Sequence, residues 1–379
     1  MTREILFYSD FPYGYHNREA EEKMARFAER GYVVHYVEQL GIRNPRPRHL
    51  ARLLRGLHRR RSGSASLPEP PFEVVTPKLM LPRRAPLIDG LNYAWLRRQL
   101  MSRLTNENDV IAWLRFPTPE LAPLVADPRI RLVVYEVVDD HEHGPGMTAR
   151  LRRHYRRAEQ RVLERADVVF AWSPPIRDRL AAQHPNVVLA PAAVDSEGFA
   201  RAAAGADPTP RTAVYCGSMD FRFDRQLLAA GARLLPRWRF LVAGPADPDS
   251  ARALATVPNV TLLGTLPSGD IPSLLAGAAV CLMPYRRTAY TENLFPIKLV
   301  EYLAAGRPVV STSLRAAREL AAHVRLADDA EAFAEAIERA GTDDGPAARR
   351  ARMARAERYS WSRRIDEMES AIEDALVDV

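Results

Sequence analysis

Short, continuously apolar runs alternate with helix-length segments along most of this chain, and that alternation leaves few folds open to it. Ile5–Tyr8 precedes a Pro/Gly loop and a helical pattern from about Arg18 to Arg30, which Gly31 stops ahead of the run Tyr32–Val37. Further runs are Val110–Leu114, Leu132–Val138, Val168–Trp172 and Val187–Ala190, with a helical, Arg-rich stretch over 139–165. Strands apolar at every position are buried on both faces, and strands separated by helices pair in parallel, so the pattern predicts a doubly wound sheet. The segment RAAAGADPTPR (201–211) has no apolar period and reads as a linker. Beyond it a second series begins: Ala213–Cys216, Arg239–Ala243, Val260–Leu263, Val280–Met283 and Val309–Ser311. The expected architecture is α/β, with two Rossmann-like doubly wound parallel-sheet domains, 1–200 and 212–356, facing across a cleft. Within 357–379 an amphipathic helix, from about Trp361 to Leu376, is expected to return to the first domain.

In such sheets ligands bind beyond the carboxyl ends of the strands, so two facing domains can hold one ligand each, an arrangement suited to group transfer. A fold alone does not fix the chemistry. The 379 residues exceed one ordinary core. The two cysteines, Cys216 and Cys281, exclude a disulfide framework and a cysteine-built zinc site, and they fit a reducing compartment. No apolar run approaches the ~20 residues of a membrane span. Arg3 and Glu4, without a small-residue cleavage site, mark a buried strand and not a signal peptide. The expected location is the cytoplasm.

The formal net charge of +7 arises in the first half. Residues 1–200 hold 31 Lys and Arg against 24 Asp and Glu, whereas residues 201–379 hold 23 of each. Within 43–103, 14 basic groups stand against only Glu69, Glu73 and Asp89, a block that implies an anionic partner. Leu50, Leu53, Leu54 and Leu57 recur at i, i+3, i+4, i+7, with Arg52, Arg55, Arg59 and Arg60 on other faces. That is the pattern of a helix lying among anionic lipid headgroups. A second stretch, Leu87 to Leu104, repeats it with Leu91, Trp95, Leu96, Leu100, Arg97 and Arg98. The competing reading packs both helices on the core with solvated arginines. Nucleic acid is disfavoured, because no zinc finger, helix-turn-helix or aromatic-interleaved RNA motif occurs. Lysine stands only at positions 23, 78 and 298, which singles each out in a chain whose ordinary cation is arginine.

The most informative stretch is TENLFPIKLVEYLAAGRPVVST, 291–312. Pro296 suits a first helical position, Ile297 to Ala305 is helix-compatible, Gly306 closes the helix, and Pro308-Val309-Val310 opens a strand. Lys298 and Glu301 share a face in the first turn. Free N–H groups and the dipole there favour a phosphate, Lys298 adds a full charge, and Glu301 can accept two ribose hydroxyls. An ordinary surface Lys/Glu pair is the alternative. Asp139 and Asp140 end the strand Leu132–Val138, where a base facing the cleft belongs. A solvated acidic loop is the alternative there. A metal cage with His141, Glu142 and His143 is disfavoured, because neighbours on an extended segment point opposite ways. Gly14, His16, Asn17 and Arg18, after the first strand, and Arg115, after Val110–Leu114, are candidates to hold an acceptor; for the first group a helix-cap role explains the residues equally well. Asp247-Pro248-Asp249 has the spacing of a metal motif but lies in a Pro-rich loop and reads as surface.

The segment PIKLVEYLAAGRPVVS resembles the donor-site signature of two-domain (GT-B) nucleotide-sugar glycosyltransferases of the family-4-like group. RFAERGYVVHYVE (26–38), PAAVDSEGF (191–199), VYCGSMDFRFD (214–224), FLVAGP (240–245) and VTLLGTLPSGDIPSLLAGAAVCLMPY (260–285) resemble segments of the same group in the same order. VVYEVVDD (133–140), with CGSMDF (216–221) and IKLVEYLAAGRP, is similar to the xanthan-pathway glucuronosyltransferases and teichuronic-acid-type transferases, peripheral enzymes that act on lipid-linked or cell-surface acceptors. The resemblance implies Asp139, before Asp140, as the catalytic base. It implies Gly217, Ser218 and Met219 beside the donor diphosphate, and Lys298 and Glu301 on the nucleotide. Retaining members carry two glutamates separated by seven residues. Here Glu292 and Glu301 are separated by eight and Asn293 stands in register, which points towards inversion; Glu292 stays among the donor-side candidates.

The expectation is a metal-independent glycosyltransferase with no cofactor, using a nucleoside-diphosphate sugar as co-substrate, with UDP preferred on the resemblance. Its acceptor is a lipid-linked, cell-surface or small glycan or secondary-metabolite hydroxyl, met at the anionic inner face of the cell membrane. The rivals are a sugar-nucleotide 2-epimerase on the same architecture and a basic, non-catalytic nucleic-acid- or membrane-binding protein.

Overall fold

The strands alternate their side chains between two apolar layers, and the layers require the helices that cover them. In the computed structural model, which describes residues 3–10, 12–14, 19–38, 70–77, 86–105, 109–117, 125–342 and 344–377, the chain builds two separate sheets. The first contains β1 (Glu4–Tyr8), β2 (Val33–Val37), β3 (Glu73–Val75), β4 (Val110–Leu114), β5 (Ile130–Val137), β6 (Val168–Ala171) and β7 (Val187–Leu189), in the order β3-β2-β1-β4-β5-β6-β7. The second contains β8 (Thr212–Cys216), β9 (Arg239–Ala243), β10 (Val260–Gly264), β11 (Val280–Met283), β12 (Val309–Ser311) and β13 (Val324–Leu326), in the order β10-β9-β8-β11-β12-β13. Every pairing in both sheets is parallel. The strand order reverses between β1 and β4 and again between β8 and β11. These are the points where the flanking loops part and leave a crevice.

Ile5, Phe7, Ile111, Trp113, Leu132 and Val134 face one layer of the first domain, and Leu6, Tyr8, Val110, Leu114, Val133 and Tyr135 face the other. The first layer is closed by the helix Glu19–Glu29 and by the final helix, Trp361–Val377, through Trp361, Ile365, Met368 and Ile372. Ion pairs of Arg3 with Glu373, and of Arg30 with Asp366 and Glu369, fasten that helix at its rim. The C-terminal segment thus crosses from the second domain to the first.

Two details differ from the sequence reading. Arg201–Ala204 belong to the helix Ser196–Ala204, whose Phe199 lies in the second domain's core, so irregular chain begins only at Gly205. Alanine favours helix, and one buried aromatic suffices to dock so short a segment. The helix Pro86–Met101 has no single apolar face: Leu96 and Leu100 are buried, while Leu91 and Trp95 remain 58% and 43% exposed. The Leu50–Leu57 pattern lies outside the described residues. Among the described residues no helix is long and apolar enough to cross a membrane.

Candidate active site

The donor-side candidates are assembled where β8 ends. Cys216 is fixed to the helix Ile297–Ala304 by the Tyr302 hydroxyl, which accepts from the Cys216 N–H at 3.1 Å and donates to its carbonyl at 3.3 Å. That tie brings Lys298, in the first turn of the helix, directly over Gly217. A Cβ built on Gly217 would lie 1.8 Å from Lys298 Cε and 2.6 Å from Nζ, so a side chain here would push the ammonium away from its place. A second glycine brings the next loop equally close, because a Cβ on Gly244 would lie 2.1 Å from the Gly217 carbonyl oxygen. Pro296 is the N-cap, one residue earlier than the sequence suggests, and offers no capping side chain to the helix N–H groups.

Lys298 Nζ lies 5.8 Å from the centre of the buried Tyr285 ring, and the Arg222 guanidinium lies 5.9 Å from the same centre. Tyr285, just beyond β11, therefore gathers two cations at the β8/β11 switch point. Arg222 also forks onto Asp220 (Nε–Oδ1 3.0 Å, Nη2–Oδ2 2.6 Å). Glu301 is partly buried. Burial raises its pKa, and the Lys298 charge offsets this only in part. Among the described residues neither Lys298 nor Glu301 has an ion-pair or hydrogen-bond partner, in a chain where most other cations and carboxylates do. The arrangement offers an anion site above and a hydroxyl acceptor below.

The other donor-side candidates divide. Gly217 lies beneath Lys298, and the Ser218 carbonyl accepts from the Tyr215 hydroxyl at 2.8 Å. Met219 turns away: its side chain is buried in the second core and its N–H donates to the Pro245 carbonyl. Glu292 is held elsewhere too. Its carboxylate takes Arg287 at 3.1 Å, Arg318 at 3.0 Å and the Arg315 N–H at 3.2 Å, which keep its pKa low despite the cost of burial. Asp247 caps the helix Pro248–Ala255 by accepting from the Ser250 N–H at 2.7 Å, which accounts for the Asp-Pro-Asp sequence.

The candidate base and its neighbours lie beyond β5. Asp139 is partly exposed and faces the Tyr290 hydroxyl of the second domain. Burial and this carboxylate together raise the Tyr290 pKa, keeping the phenol protonated. Asp140 is 3% exposed, and its Oδ2 meets Asn293 Nδ2 at 2.5 Å and His143 Nδ1 at 2.6 Å. Glu142 turns away to Arg156, and His141 packs on the Phe116 and Tyr155 rings. Beneath them Glu136, on β5, is fully buried. It pairs with Lys23 and accepts from the indoles of Trp113 and Trp172 at 2.9 and 2.8 Å.

Arg115 belongs to this buried cluster and not to the cleft surface. It lies 3.2 Å from Glu19, 3.4 Å from Asp10 and 3.8 Å from Glu136. Gly14, with φ of 79°, donates its N–H to Glu21 at 2.6 Å. His16, Asn17 and Arg18 lie outside the described residues. Sequence reasoning missed Arg222, Tyr285 and Tyr290 as site candidates. Arg222 could have been marked by its place in the loop directly after β8; the two tyrosines carry no comparable signal.

Residues 210–343 match the family model for glycosyl transferases group 1. Over 176 residues the chain is 28% identical to TuaH of Bacillus subtilis, named for teichuronic acid biosynthesis as a glycosyltransferase; the match covers 43% of this chain and 44% of that protein, so the chain spans less than half the length of the curated relative it matches. Among solved structures it is similar to sucrose-phosphate synthase from Thermosynechococcus elongatus, with TM-score 0.70 and 16% identity over 100% of both chains. It is also similar to HepE of Anabaena in complex with UDP and glucose, with TM-score 0.66 and 16% identity over 97% of this chain and 99% of that one. At such identities the structural likeness establishes the fold, and that fold is GT-B.

The Gly217–Lys298 contact is testable by stability alone. Gly217→Ala should cost ~1–3 kcal/mol in denaturant unfolding. In a Lys298→Ala background the same change should cost measurably less, because the side chain it strikes is gone. Equal costs in the two backgrounds would mean that the lysine does not lie over this glycine.

Proposed function

We propose that this chain, GT-B in fold and carrying a glycosyl transferases group 1 domain, is a metal-independent, inverting glycosyltransferase. It moves a sugar from a nucleoside-diphosphate sugar, with UDP preferred, to a hydroxyl of a lipid-linked or cell-surface acceptor. The observation that carries this reading is Lys298 over Gly217 at the start of a helix, without an ion-pair or hydrogen-bond partner among the described residues, with Glu301 one turn below. UDP in the HepE complex and the name of TuaH support the donor and the acceptor class.

In the reaction Asp139 takes the proton of the acceptor hydroxyl as its oxygen attacks the anomeric carbon from the face opposite the diphosphate. The bond from that carbon to the diphosphate oxygen breaks. Lys298 and the first N–H groups of its helix receive the departing charge, a task that preorganised donors perform. Asp139 suits the base role because it is the more exposed of the pair, whereas the Asp140 carboxylate is already engaged.

Two substitutions separate binding from chemistry. Lys298→Ala should weaken UDP at least ~10-fold in calorimetry, since it removes a charge-assisted contact. Unchanged affinity would remove the phosphate role. Asp139→Asn should lower kcat by ~10²–10⁴ and leave UDP affinity within ~2-fold. A variant that transfers sugar at the wild-type rate would eliminate this carboxylate as base.

The acceptor also sets where the enzyme works. Leu91, Trp95 and Arg98 lie at i, i+4, i+7 on the exposed side of the helix Pro86–Met101. With the basic block 43–103 they favour an anionic membrane as the docking surface, at the inner face of the cell membrane. Flotation with phosphatidylglycerol vesicles should recover the protein at low salt and lose it as salt rises. Leu91→Ser/Trp95→Ser should reduce recovery; equal flotation would place the contact elsewhere.

A further inference from the structure

Two hydrogen bonds and one electrostatic interaction cross the cleft at the end of β5, and one short stretch of the second domain supplies its side of each. Asn293 donates its side-chain amide to Asp140 at 2.5 Å. The Asn293 carbonyl accepts from the Ser173 hydroxyl of the first domain at 2.6 Å. Tyr290, three residues earlier, is near enough for the Asp139 charge to add to burial in raising its pKa. Asn293 is thus gripped by the first domain at both its backbone and its side chain. Asp140 is fixed from both sides as well, since His143 of its own domain binds the same oxygen at 2.6 Å. Hydrogen bonds to a buried carboxylate hold it firmly when both partners are fixed, as here. With Asp140 immobile, the peptide that carries Asp139 loses its freedom to turn.

We propose that Asn293 is a positioning residue: its amide locks Asp140 across the closed cleft and so aims the adjacent Asp139 at the acceptor hydroxyl. This rests on the reading of Asp139 as base. It gives Asp140 the part of an anchor, not of a second base. It also makes the alignment of the base depend on closure, because the locking amide comes from the domain that binds the donor.

The decisive comparison exchanges the two groups. Asn293→Ala should lower kcat by ~10-fold and Asn293→Asp, which sets a second carboxylate against Asp140, by ~100-fold, each with UDP affinity within ~2-fold of wild type. Asp140→Asn/Asn293→Asp restores an amide facing a carboxylate with the partners reversed. It should recover at least ~10-fold of the activity lost in Asn293→Asp. A swapped enzyme no better than Asn293→Asp would show that the Asp140 carboxylate itself is needed, and would overturn the anchor role. Wild-type kcat in Asn293→Ala would overturn the proposal outright. Should Asn293→Asp not fold, Ser173→Ala frees the Asn293 carbonyl without adding charge; a several-fold loss of kcat is expected, and no loss counts against the lock. If the wild-type protein binds UDP but transfers no sugar, the proposed function fails by itself. The lock is then read by small-angle scattering of the UDP complex, in which Asn293→Ala should enlarge the radius of gyration. An unchanged radius would dispose of the lock independently.

Discussion

Every strand in both sheets runs parallel, and that one constraint decides where chemistry can occur. Parallel strands send all their carboxyl ends to one edge, and a reversal of strand order opens a gap between loops at that edge. The chain makes the reversal twice, at β1/β4 and at β8/β11. The second gap receives Gly217, Lys298, Tyr285 and Arg222; the buried cluster around Arg115 and Asp10 lies under the first. β5, next to β4, then brings Asp139 and Asp140 to the same edge as groups of the second domain. No side chain in either gap has to be reached by a long excursion of the backbone.

The charges divide by partnership. Lys23, Glu136, Glu19 and Arg115 sit together beneath the acceptor side, nearly without solvent. Burial raises the Glu19 pKa more than Lys23 and Arg115 lower it. For Glu136 burial is outweighed by the same two cations and by the hydrogen bonds from Lys23 and Trp172, and its pKa falls. Removing one member of such a cluster costs ~3–5 kcal/mol, although a well-packed apolar replacement of the whole can be as stable. Its consequence for function is rigidity at β5, three residues ahead of Asp139. The donor side is the opposite case. Among the described residues Lys298 has no ion-pair partner, and its ammonium lies beside a glycine.

The inner strands were legible in the sequence because their apolar runs are continuous; Val110–Leu114, Arg239–Ala243, Val280–Met283 and Val309–Ser311 appear with the same limits in the structure. β3 and β13 were not, since a three-residue edge strand buried on one side leaves no run to see. In the site, Lys298 and Glu301 followed from helical spacing. Met219, Glu292 and Arg115 illustrate the limit of that method. A motif fixes which loop a residue occupies, but side-chain direction is set by packing: Met219 follows the apolar core, Glu292 follows Arg287 and Arg318, and Arg115 follows three buried carboxylates. Asn293 drew notice only as a departure from a spacing, because its partner Asp140 is 153 residues away.

That partner gives the departure a physical reason. A carboxylate at position 293 would stand within hydrogen-bond distance of Asp140, and close like charges repel and part the surfaces that carry them. An amide of similar size donates instead and turns repulsion into attraction. The neighbouring Glu292 keeps its charge because it points to the arginines of its own domain. An Asn beside a Glu therefore lets one domain hold a negative group where cations neutralise it, and present a neutral donor where the other domain supplies the acid.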